Sequence, residues 1–166
     1  MPELKPITRD GVAAALQKAD RYRFLNDSWS AESICLDVLE VAPDDQHALV
    51  TLLLAITDQF GDGLADGVAR ARAVLPRLRD EYKRHYYAGI IAERRALAEL
   101  HRGAVGAEAS AYQWLVEAME HFERAEAMRP AGNDESILRW NTCARLMQRN
   151  ERIRAEPARE YEPALE

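Results

Sequence analysis

Four histidines, His47, His85, His101 and His121, are the first residues of this chain to weigh for chemistry. Imidazole is the side chain most used for metal binding and for proton transfer near neutral pH. None of the four falls in a His-x3-His or Glu-x2-His pattern. Glu117 and His121 stand one helical turn apart and could hold one edge of a metal site. A closed site needs more ligands, and no second cluster accompanies them, so the pair reads as an ordinary surface pair. Glu99 and His101 straddle a helix end and share no face. The glycine-rich patterns that cradle phosphates or present a nucleophilic serine are absent from the sequence. Gly61-Asp62-Gly63 with Gly67 resembles an acidic turn, but lacks the further oxygen ligands of a calcium loop. Tyr86, Glu93, Arg94 and Asn141 could line a pocket between helices. That keeps a small-molecule site, or an enzyme, as one alternative. The main expectation is a protein with no catalytic residue, no metal and no cofactor.

The elements that would position these groups are helices. The chain has 166 residues, 48% hydrophobic and 30% charged, with only eight Gly and seven Pro. That is enough for one domain with a real core, in a composition that favours helix. A net charge of −6 argues against a nucleic-acid surface. Cys35 and Cys143 lie far apart in helical patterns and read as small buried hydrophobes. Met1-Pro2-Glu3-Leu4-Lys5-Pro6 has no apolar signal core, and the longest apolar run, Ala48 to Ile56, is too short for a bilayer. A cytoplasmic protein without a membrane partner is the expectation.

Punctuation along the chain predicts seven helices. Residues 1–7 form a loose arm, Thr8 or Asp10 caps a helix over 12–25, and Asp27 or Ser28 caps a second that stops before Pro43. Ile34, Cys35, Val38 and Leu39 form its apolar stripe. Asp44 caps a third helix, whose residues 46–59 are apolar nearly all round and therefore central. A fourth, over 64–80, is ended or kinked by Pro76 near Leu75. Long helices follow over 81–101 and 108–129, and Asn133 or Asp134 caps the last, 134–149. Residues 8–150 thus form the helical domain, and 151–166 read as a disordered charged tail. No stretch alternates with the period of a strand.

Two strings share one spacing: Ala118, Phe122, Ala125, Pro130 and, earlier, Ala31, Cys35, Val38, Pro43. In each, small and large residues mark a packing face and proline a stop. Ala19 and Tyr22 precede the earlier string, and Gly89 precedes the later one, in the helix before it. This arrangement resembles the tetratricopeptide repeat, in which two helices per 34-residue repeat meet through small residues. Cys35 stands where that family usually has an aromatic, the repeat over 46–79 is degenerate, and Ala118 lies 17 residues beyond its expected place. The helices of the third repeat must therefore be longer than the family norm. The resemblance implies an all-α stack of helical hairpins in a right-handed superhelix, with a concave face lined by the first helix of each pair.

Such a face commonly holds a peptide or another protein, which implies an adaptor or scaffold. In this register its residues include Asp20, Arg23, His47, Asp58, Lys83, Tyr86, Ile90, Glu93, Arg94, Asn141 and Arg145. Arg23, Tyr86, Arg94, Asn141 and Arg145 are the candidate partner-binding residues. Arg94 interrupts an apolar stripe of Tyr87, Ile91, Leu97 and Ala98. A charge there lies either at a groove edge or in an interior ion pair. Asn141 and Arg145 share a helix face with Leu138, while Ile137, Trp140, Ala144 and Met147 should face the core. Leu16 and Asp20 replace the lysine and asparagine with which some family members grip a chain terminus, which argues against that mode. Self-association as a homodimer, through an uncovered part of helix 46–59, is a further alternative.

Overall fold

The computed structural model describes residues 2–61 and 64–155. Asp62 and Gly63 of the expected turn and 156–166 of the expected tail lie outside the described residues. Within them the protein is all-α, with seven α-helices and no strand. These are α1 (Val12–Phe24), α2 (Ser28–Val41), α3 (Gln46–Asp58), α4 (Leu64–Val74), α5 (Glu81–Arg102), α6 (Ala107–Ala127) and α7 (Glu135–Arg149).

Local chemistry sets the ends. Asp27 caps α2 by accepting from the Ser30 N–H at 3.1 Å. The cap of α3 is Asp45 rather than Asp44: its carboxylate accepts from the Ala48 N–H at 2.8 Å, three residues on, where a capping side chain must reach. Asp44 points into solvent instead. Pro76 cannot continue a helix, so α4 ends at Val74 in a 3-10 turn over Leu75–Arg77. Before α7 it is Asn133 that accepts from the Glu135 N–H, at 3.0 Å, and Asp134 makes no side-chain cap. Gly103 and Gly106 bracket the α5–α6 turn with φ of 63° and 81°, the left-handed region that side chains disfavour.

Each helix packs on the next in sequence, and α3 also touches α1 and α5. Two cores result. The first gathers Leu16, Ala19, Ala31, Cys35, Val38, Leu49, Leu53 and Phe60 of the N-terminal helices and their turns. The second gathers Ile90, Ala96, Leu115, Ala118, Phe122 and Cys143 of α5–α7, with Ile153 folded back on it. Leu54 and Tyr87 border both. As its composition predicts, α3 is central, burying Ala48, Leu49, Leu52, Leu53, Ala55 and Ile56. It therefore offers no uncovered apolar face for self-association.

The closest approach in the stack is between α5 and α6. A Cβ added at Gly89 would fall 2.5 Å from the ring of Phe122, which is wholly buried. The small residue that precedes the later string thus receives the large residue of that string. α5 and α6 are also the longest of the seven helices, at 22 and 21 residues. In α7 the buried stripe is turned slightly from its expected place. Ser136 and Cys143 are fully buried with Trp140 and Met147 beside them, while Ile137 and Ala144 are only half-buried.

Candidate functional site

Of the polar residues expected along the first helix of each pair, Asp20, Arg23, His47, Asp58 and Arg94 bind one another. Asp20 of α1 accepts from the Thr51 hydroxyl at 3.1 Å and lies 2.8 Å from the His47 ring, both on α3. Arg23 of α1 donates from Nε to Asp58 at 2.9 Å. Arg94 of α5 donates to the same carboxylate from the other side, and also to the Leu54 carbonyl at 3.1 Å and the Thr57 hydroxyl at 2.5 Å. Of the two readings open for Arg94, the structure shows an intramolecular ion pair, partly buried rather than interior. Burial lowers the affinity of its guanidinium for the proton, and the Asp58 carboxylate opposes that shift.

The chain of charges continues through α5 into α7. Glu93, next to Arg94, is 3% exposed and accepts from Arg139 of α7 at 3.3 Å. Its second oxygen, Oε2, has no hydrogen-bond partner. Burial raises the pKa of this carboxyl, with Arg139 acting in the opposite direction. Tyr86 stacks on Tyr82 with ring centres 5.8 Å apart and meets Tyr87 edge-on at 5.2 Å. It is half-buried in an aromatic cluster against Phe122 rather than standing free on a wall. Ile90 is likewise core, at 1% exposed.

Asn141 and Arg145 share the Leu138 side of α7, and Arg145 also lines the cleft toward α5. Asn141 is half-buried and Arg145 exposed, and Leu138 on the same face is 62% exposed. Trp140 packs on the second core and donates its indole N–H to Glu123 at 3.0 Å. Between α5, α6 and α7 opens a cavity of about 250 Å³, lined by Glu93, Leu97, Leu115, Thr142, Cys143, Arg145, Leu146 and Arg149. Sequence patterning finds Glu93 and Arg145 but not their convergence, because the angle between α5 and α7 is set by packing rather than by either helix's own periodicity.

The remaining chemistry-bearing residues are otherwise engaged. Glu117 pairs with Arg72 of α4 at 2.5 Å, and Arg72 and Arg95 both lie over the Trp114 ring. His121 faces His85, with Nδ1 atoms 3.3 Å apart, and burial lowers its pKa. No group of three or more His, Cys, Asp or Glu side chains gathers as metal ligands among the described residues. Cys35 and Cys143 are free, buried thiols, pushed up to about 12 by desolvation. No described helix is long and apolar enough to cross a membrane. At the α1–α2 turn, Phe24, Leu25 and Trp29 are 92%, 66% and 72% exposed, a cluster that no sequence periodicity announces.

The sequence matches no family model, no curated protein and no solved structure.

Proposed function

We propose that this protein is an interaction module, a tetratricopeptide-like adaptor of the cytoplasm that holds an acidic peptide or protein segment against the outer face of α7. The observation that carries this reading is Leu138, exposed beside Asn141 and Arg145 on a helix whose opposite face buries Ser136 and Cys143. An exposed leucine flanked by an amide and a guanidinium offers apolar contact with hydrogen-bond donors at its rim, the make-up of a protein-binding surface. The charge of α7 adds to it. The helix carries three arginines and one glutamate in a chain whose net charge is −6, so an acidic segment is the complementary partner. The two free, buried thiols accord with a reducing compartment.

Arg23 and Arg94 enter this reading as anchors that fix the helices, and Asn141 and Arg145 as the contacting pair. The test is capture of partners from lysate with wild type and with a Leu138→Asp/Asn141→Ala/Arg145→Ala variant of unchanged helicity. The expected result is a protein retained by the wild type and lost by the variant. Identical retention by both removes α7 as the binding face.

A second reading, self-association, is favoured by the Phe24, Leu25 and Trp29 cluster, now in place of α3. Apolar side chains this exposed and this close in sequence are uncommon on a monomer. Sedimentation of the purified chain should then show a dimer that Phe24→Ser/Trp29→Ser converts to monomer. A monomeric wild type at about 100 μM, where contacts of this size would associate, removes the reading.

A further inference from the structure

A cationic surface gathers where α7 stops. Leu138, Asn141, Arg145 and Arg149 recur at helical spacing on the side of α7 opposite the buried Ser136 and Cys143. Leu138 is 62% exposed, and no carboxylate of the described residues pairs with the exposed guanidiniums of Arg145 and Arg149. Arg152 and Arg154 follow, also exposed, with Ile153 between them 4% exposed against the second core. The chain thus turns back beside α7 before it leaves the described residues at Ala155: the Ile153 N–H donates to the Asn150 carbonyl at 2.9 Å. Residues 145–155 hold four arginines and one glutamate, a net charge of +3. Residues 156–166, outside the described residues, hold four glutamates and one arginine, a net charge of −3.

Length and spacing match as well as charge. Eleven extended residues span at most about 40 Å, and α7, at 15 residues, is about 22 Å long, so the segment can run back along the whole helix. Glu160 to Glu162 covers about 7 Å of extended chain, against about 6 Å of helix from Arg149 to Arg145. Glu162 to Leu165 covers about 10 Å, against about 10.5 Å from Arg145 to Leu138. Pro163 favours the polyproline pitch, in which residues three apart, such as Glu162 and Leu165, share a side. We propose that residues 156–166 occupy this face of α7 within the same chain, with Glu160 on Arg149, Glu162 on Arg145 and Leu165 over Leu138, so that a partner must displace them. The inference rests on the reading of α7 as a face for acidic segments and adds its regulation. A segment tethered this closely stands at an effective concentration of about 1 mM, so it excludes weak acidic ligands and yields to tight ones.

The test has two arms, both on the full chain. In the first, Ala164→Cys carries a nitroxide spin label, while Cys35 and Cys143, 0% and 1% exposed, stay unlabelled. Broadening of the Leu138, Asn141 and Arg145 amide signals is expected. Arg145→Glu/Arg149→Glu, at two exposed positions where the fold is not at stake, should relieve it, and so should about 1 M salt, which screens exposed pairs. Broadening that neither charge reversal nor salt changes is what tethering alone gives, and it overturns the proposal. So does no broadening at all. The second arm titrates a synthetic peptide of residues 156–166 into the wild type and into a Glu160→Gln/Glu162→Gln/Leu165→Ser chain. The variant should bind it with Kd of about 0.1 mM, and the wild type about tenfold more weakly, because its own segment competes. Equal affinity for both chains overturns the proposal. An acetylated Asp-Asp-Leu-Asp-Asp peptide separates the two readings. If the variant binds it but not the 156–166 peptide, the intramolecular occupant falls and the acidic-partner face stands. If the variant binds neither, both fall together.

Discussion

Gly89→Ala destabilises this protein by about 1–3 kcal/mol, although alanine is the better helix former by about 1 kcal/mol. The new methyl would stand 2.5, 2.7 and 2.8 Å from three ring carbons of Phe122. That ring is fully buried and Tyr86 packs on it, so it cannot swing away as a surface side chain would. The helices must separate or the ring must leave its rotamer, and either loses contacts across the second core. Thermal melts of the wild type and variant check the sign, which propensity alone would reverse. Phe122→Leu on its own costs about 1–1.5 kcal/mol, yet in the Gly89→Ala background it should cost less, or restore stability. A coupling energy near zero in this cycle would mean that α5 and α6 do not meet at these two residues.

The second large effect is expected at Asp58. It takes Arg23 from α1 at 2.9 Å and Arg94 from α5, and the Ser28 hydroxyl stands 3.4 Å from it. The carboxylate is 20% exposed and the two guanidiniums 22% and 23%. Asp58→Ala leaves two partly buried cations facing each other without a counterion, at a cost of about 2–4 kcal/mol. Asp58→Asn keeps an acceptor oxygen and should fall between. Arg94→Met loses less than Asp58→Ala, because Arg23 still neutralises Asp58 and the methionine fills the space of the aliphatic stem. Asp20→Ala is the contrast. Its partner His47 is 53% exposed and Asp20 itself 37%, so solvent screens that pair, and with the lost bond from the buried Thr51 hydroxyl about 1–2 kcal/mol is expected. Denaturant melts order the four variants. An Asp58→Ala protein as stable as Asp20→Ala would show that the α1–α3–α5 charge chain does not hold the stack.

These two sites show where sequence reading reaches and where it stops. Helix positions follow from local signals: Asp27 as a cap, Pro76 as a stop and the apolar run of α3 each act within a few residues. The meeting of Gly89 with the Phe122 string is legible because small and large residues keep a spacing that only packing explains. Asp20, Arg23, Asp58, Glu93 and Arg94 are likewise legible as polar positions of α1, α3 and α5. Their pairing is not, because a helical period fixes the side on which a charge lies and says nothing of what stands opposite. The same gap hides the cavity beside Glu93, which exists only through the relative placement of three helices. The shift of the buried stripe of α7 toward Ser136 and Cys143 has the same origin. A 3.6-residue period admits neighbouring faces, and the packing of α6 selects one. The exposed Phe24, Leu25 and Trp29 stand at the last residue of α1, in the turn and in the first turn of α2, where a helical period is too short to read.

The most direct test of the partner-binding account is affinity selection from a random-peptide display library on the immobilised protein, followed by titration of the enriched peptides against wild type and the Leu138→Asp/Asn141→Ala/Arg145→Ala variant. The account predicts enrichment of peptides in which acidic residues flank an apolar one. It further predicts a loss of about tenfold or more in affinity for the variant, the sum of a buried leucine contact and a charge-assisted hydrogen bond. Enriched peptides without acidic residues, or with equal affinity for both proteins, contradict it and move the binding face away from α7.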